Sequence, residues 1–224
     1  PADARPGDPV FIAAAHQPGA PVVLGRPYPQ SGAAQLTAIL SDLATHPATA
    51  RHIATKVARH FIADDPPPAA VARLEQSFLD SGGDLYALAH TLIESPEAWA
   101  LAPAKFKTPW DWAISAMRAL GVSELSNPQA TAAMFDQLGQ PVWRPGSPAG
   151  FADSSADWAG PQALADRVDL AERLAVRHAG QRDPRQLATS ILADALDDAS
   201  SAAISRADSP AQGLALMEQA LSAA

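Results

Sequence analysis

After Leu36, helix-start and helix-stop signals follow one another so closely that only a succession of helices accommodates them. Pro47 fits the first position of a helix running to about Ala63, because a proline there removes an N–H that has no intrahelical partner anyway. The run Asp64-Asp65-Pro66-Pro67-Pro68 ends that helix, a third begins near Val71, and Gly82-Gly83 closes it. Asp84 caps a helix through Ile93 by offering its carboxylate to free N–H groups, and Ser95-Pro96-Glu97 restarts the chain with a hydroxyl, a proline and an acid where the helix dipole favours them. Thr108-Pro109 repeats that device. Trp110, Ala113, Ile114, Met117 and Leu120 then share one face, and Gly121 stops the helix. Further helices are expected over 128–138, 161–179, 184–198 and 210–222, and Leu36, Ile39, Leu40 and Leu43 carry the first one.

The thirty residues before this series read differently. Two apolar runs, Val10 to Ala15 and Val22 to Leu24, flank Gln17-Pro18-Gly19, a turn in which proline presets one dihedral and glycine accepts a positive φ. A β-hairpin or extended arm over residues 1–35, followed by an irregular multi-helix domain over 36–224, makes the expected fold all-α. One stretch, 139–160, lacks periodicity for longer than compact domains usually tolerate. Its rings, Trp143, Phe151 and Trp158, argue for order: they either pin the loop to the helices or meet a ligand.

Charge and composition exclude several classes. The 16 cations and 24 acids give a formal charge of −8, with the cations scattered, so there is no basic face for nucleic acid. No window approaches the roughly 18 consecutive apolar residues of a bilayer span. Hydrophobic residues make up 47% of the chain, ample for a core. Cysteine is absent, which removes disulfides, thiolate nucleophiles and cysteine zinc sites while leaving the redox compartment open. The chain opens at Pro1 with no initiator methionine, as expected of a processed product or an excised piece.

One segment departs from the acidic average. Residues 45–61, THPATARHIATKVARHF, hold His46, His52 and His60, three of the six histidines, with Arg51, Lys56, Arg59 and no acid. On a helix at 100° per residue, Ala50, Ile53, Ala54, Val57, Ala58, Phe61 and Ile62 share the core half, Thr49, His52, Lys56 and His60 border it, and Arg51, Thr55 and Arg59 lie opposite. On that reading Phe61 is a core side chain, His60 is half-buried, and Arg51 pairs with an acid elsewhere. His52 and His60 are about 12 Å apart along such a helix, too far for one metal ion to bridge, so neither metal nor cofactor is expected. No G-x-S-x-G elbow, phosphate loop or dinucleotide fingerprint occurs. The candidate polar site is instead His16, His46, Arg51 and Lys56: two histidines at segment junctions, where functional groups tend to be displayed, and two cations able to clamp an anion. Trp143 and Trp158 complete the candidate binding residues.

Five segments, HQPGAPVVLG, HPATARHIATKVARHFIADDPP, SGGDLYALAHTLIESPEAW, KFKTPWDWAISAMRALG and LGQPVWRPGSPAGF, resemble in this order the C-terminal half of bacterial proteins of the domain of unknown function 1800 family. The family pattern falls on His16, Gly25, His46, Thr49, Arg51, Lys56, Lys107, Pro109 and Gly150, while His52 and Phe151 lie at variable positions. The resemblance implies a mostly helical protein, exported to the periplasm or beyond, with no activity to carry over. Its implied partner is another exported protein or the missing N-terminal half of its own chain. Two readings follow: a non-catalytic interaction or assembly module, and a cell-envelope hydrolase or ligand-binding protein using the His/Arg/Lys cluster.

Overall fold

The computed structural model describes residues 10–100 and 105–222. Among them are eleven α-helices and one two-stranded antiparallel sheet, so the protein is mostly all-α with a hairpin near its N-terminus. The chain divides into two compact units, Pro1–Ala58 with Pro68–Ser95 and Arg59–Pro67 with Pro96–Ala224.

The hairpin of the first unit is smaller and later than the apolar runs suggest. Strands β1 (Val22–Val23) and β2 (Arg26–Pro27) pair through Leu24 and Gly25, both at positive φ (50° and 80°). Positive φ at both central residues matches the right-handed twist of a two-residue hairpin. Residues 10–15 form no strand; Ala13–Ala15 make a single 3₁₀ turn. Helix α1 (Ala33–Ala44) follows, then α2 (Pro47–Phe61), α3 (Pro68–Asp80) and α4 (Leu85–Glu94). Asp84 caps α4 as its position demands, accepting from the Tyr86 N–H at 2.8 Å. Between α3 and α4, Gly82 and Gly83 take left-handed conformations (φ 66° and 90°), and the Gly83 N–H returns to the Phe78 carbonyl at 2.8 Å.

The buried side of α2 is narrower than its apolar half. Ala50, Ala54 and Ala58 are wholly buried at four-residue spacing, Ile53 and Val57 are half-buried, and Phe61 is 60% exposed. Phe61 is therefore not core. It lies at the end of the helix, where its ring stands edge-on to the His60 ring, centroids 4.5 Å apart; His60, expected half-buried, is itself exposed.

The second unit holds α5 (Pro109–Ala119), α6 (Pro128–Gln137), the short α7 (Ser155–Trp158), α8 (Pro161–His178), α9 (Pro184–Leu192), α10 (Asp198–Ser205) and α11 (Pro210–Ala220). Five of these begin with proline in the first turn, and Thr108, Asn127, Asp183 and Ser209 each supply a capping oxygen in front. Helix α11 is the hub. It packs on α8, α9 and α10, and buries Gly213, Leu214, Ala215, Met217 and Glu218. At Gly213 an added Cβ would stand 2.7 Å from Pro184 Cγ, so only glycine admits the α9 start this closely. The fully buried Trp112 of α5 donates its indole N–H to the Glu218 carbonyl at 2.8 Å, joining α5 to the same hub.

The helix expected over 184–198 ends early. Ala193 adopts φ 43°, a left-handed conformation uncommon for a residue with a Cβ, and the chain restarts at Asp198 under the Asp197 carboxylate, which accepts from Ser200. Helix α10 falls where no helix is expected, between those expected over 184–198 and 210–222.

Candidate functional site

The sequence-derived candidates have individual structural contacts. His46 sits immediately before α2, and its Nδ1 accepts the Ala48 N–H at 3.1 Å, doing for that helix start what Ser or Asp usually does. Arg51 points from α2 to Glu75 of α3 in a 2.9 Å ion pair, with two-thirds of its own side chain in solvent. The half-buried His16 lies 5.2 Å from the Phe11 ring, and Lys56 is half-buried on α2. No group of three His, Cys, Asp or Glu residues able to hold a metal exists among the described residues.

The two tryptophans of the 139–160 loop part company. Trp158 is buried, its indole N–H bonded to the Ala152 carbonyl at 3.0 Å and its ring 6.4 Å from Phe151. Trp143 is 93% exposed at φ 54°, so it does not pin the loop; the neighbouring Arg144 does part of that work, one Nη donating to both Asp136 carboxylate oxygens at 2.7 and 2.8 Å. The loop's end is held from another direction. Asp64 pairs with Lys105 through one carboxylate oxygen and accepts the Ser155 N–H at 2.7 Å through the other. Lys105 also donates to the Asp153 carbonyl at 2.9 Å, and the Phe106 N–H to Ser155 Oγ at 3.0 Å. Partial burial opposes ionisation of Asp64, but the bonds from Lys105 and Ser155 outweigh it and hold the carboxyl below its usual value.

The strongest electrostatic perturbations lie where sequence reading placed nothing. Arg167 on α8 is 2% exposed; one Nη donates to the Lys107 carbonyl at 2.7 Å and the other reaches Ser222 Oγ at 3.5 Å. Its guanidinium lies 4.3 Å from the centre of the Phe106 ring and 5.6 Å from that of Trp112, replacing lost water with two π faces. Burial lowers its pKa to about 10, which leaves it charged at neutral pH. Glu218 on α11 is fully buried, neither carboxylate oxygen has a hydrogen-bond partner among the described residues, and burial pushes its pKa up to about 8. It is therefore mostly protonated at pH 7, the cheaper state for an unsolvated acid. The signal for both was legible as a mismatch: Arg167 stands on the face of Leu170 and Leu174, and Glu218 on that of Leu214 and Leu221. Both are buried: Arg167 ties α8 to the Lys107 carbonyl and to Ser222, while the Glu218 side chain is buried in α11 beside the backbone bond from Trp112.

Among the open cavities that adjoin α5 are two beside Arg118. One, about 390 Å³ between α5 and α6, is lined mainly by Trp110, Ile114, Met117, Leu125, Phe135 and Val142. Trp110 and Phe135 stack at 4.2 Å with planes 8° apart, and the buried Gln140 holds the Trp110 N–H at 2.9 Å. The other, about 380 Å³, contains Lys107, Ser115 and Arg118 beside Ile191, Leu192 and Leu221. Burial lowers the Lys107 pKa, partly offset by Asp111.

The fold is thus that of a predominantly helical protein whose strongest charge perturbations are internal and whose α5–α6 cavity is largely apolar. A family model described as a protein of unknown function, DUF1800, matches residues 2–223, and the chain belongs to that family. The match covers essentially the whole chain. Neither a curated protein nor a solved structure matches the chain.

Proposed function

We propose that the protein is a non-catalytic interaction module of an exported assembly, and that α1 with the preceding arm is the surface that meets another exported protein. The carrying observation is the inverted burial of α1. The only buried residue of this helix is polar: Gln35, whose amide nitrogen reaches the Gly19, Tyr28 and Gln30 carbonyls at 3.0, 2.8 and 3.1 Å. Leu36 and Leu40, one turn apart, are more than half exposed, as are Ile12, Val22 and Leu24. Single exposed apolar residues are ordinary, but a concentration of them in one segment is typical of contact surfaces. The capping role of His46 and the pairing of Arg51 with Glu75 favour this reading over an envelope hydrolase or ligand site built from His16, His46, Arg51 and Lys56.

The test is crosslinking of the exported protein in its host, native against a Leu36→Asp/Leu40→Asp variant, with the products identified by mass. Loss of a heteromeric product at unchanged helix content is the expected result. An unchanged set of products overturns the proposal, and so does loss of a homodimer alone, which would reassign the face to self-association.

A further inference from the structure

We infer that the second unit binds a single-chain amphiphile with an anionic end, its apolar chain in the α5–α6 cavity and its anion at Arg118. At about 390 Å³ the cavity is in the range of small-ligand sites, and its walls supply aromatic, aliphatic and thioether surface with few polar groups. An occupant must therefore be mostly apolar.

The charge at the edge selects the head. Arg118 lines both this cavity and the neighbouring cleft, and its exposed guanidinium has no ion-pair partner among the described residues. The cleft adds the Lys107 ammonium and the Ser115 hydroxyl. Opposing charges are Glu124 on the cavity wall, Asp111 near Lys107, and the partial negative charge at the α5 C-terminus. None of these acids forms an ion pair with Arg118, whose charge stays available at the cavity edge. A carboxylate or phosphate head meets this chemistry equally, because either accepts the paired N–H bonds of a guanidinium. These residues are distinct from α1, so this inference stands apart from the interaction reading.

The test is calorimetric titration of the full chain below micelle-forming concentrations with dodecanoate, dodecyl phosphate and dodecanol. Saturable binding of at least one anion, tighter than dodecanol, is expected, with about tenfold loss on shortening dodecanoate to decanoate. Arg118→Gln, a change at an exposed position, should weaken the anion about tenfold and leave dodecanol within about twofold. Ile114→Trp, which fills the cavity, should remove both. Failure of both anions to saturate overturns the inference, as does equal binding of dodecanol and the anions, or indifference of the anions to Arg118→Gln. Which anion binds tighter assigns the head.

Discussion

Phe61 and Leu74 show how little apolar character alone says about a residue's contribution. Phe61 is 60% exposed, so Phe61→Ala should cost less than about 1 kcal/mol, whereas Leu74→Ala, which empties a fully buried site on α3, should cost about 2–5 kcal/mol. Denaturant midpoints of the two variants check this, and equal losses would show that Phe61 packs in solution. Arg51→Ala removes an ion pair whose arginine is largely in water, so its expected cost is below about 1 kcal/mol and should shrink further with added salt.

At the scale of elements, capping and backbone strain decide where the helices begin and end. Asp197→Ala removes the carboxylate that accepts from Ser200 at the α10 start and should cost about 1 kcal/mol. Ala193→Gly should have the opposite sign to the usual alanine-to-glycine change: glycine relieves the left-handed strain at φ 43°, and this offsets its larger unfolded-state entropy. A midpoint at or above that of the native protein is expected, and a loss of about 1 kcal/mol, as in a helix interior, would mean that α9 continues through 193. Gly213→Ala should be strongly destabilising, because its Cβ would meet Pro184 at 2.7 Å.

For the molecule as a whole, stability should peak in mildly acid solution. Glu218 holds its proton up to about pH 8 when folded but only to about pH 4.5 when unfolded, so between these values the native state binds more protons. Stability then falls as pH rises through that window, by a few kcal/mol at about 1.4 kcal/mol per unit of pKa shift. Asp64 acts in the opposite sense, its lowered pKa giving stability that is lost as pH falls through the folded value. Glu218→Gln should flatten the profile from pH 5 to 8 and leave the acid limb in place. Parallel profiles for the native protein and the variant over that range would mean that Glu218 is solvated.

Helix content and most helix starts are set locally and could be read from the chain: Asp84, Thr108-Pro109 and Gly82-Gly83 act through groups within a few residues of themselves, whatever surrounds them. The same holds for the family, whose pattern is carried by contiguous strings. Which apolar face is buried is not a local property. Leu36 and Leu40 carry a helical apolar repeat, yet Gln35 is the buried residue, because only the folded arm brings three carbonyls within its reach. Arg167 and Glu218 become perturbed only when α8 and α11 close over them, since desolvation depends on every neighbour and not on spacing along one helix. The α5–α6 cavity likewise belongs to no segment: it is the space left where Trp110, Met117 and Phe135 meet without filling it, and only tertiary packing decides that volume.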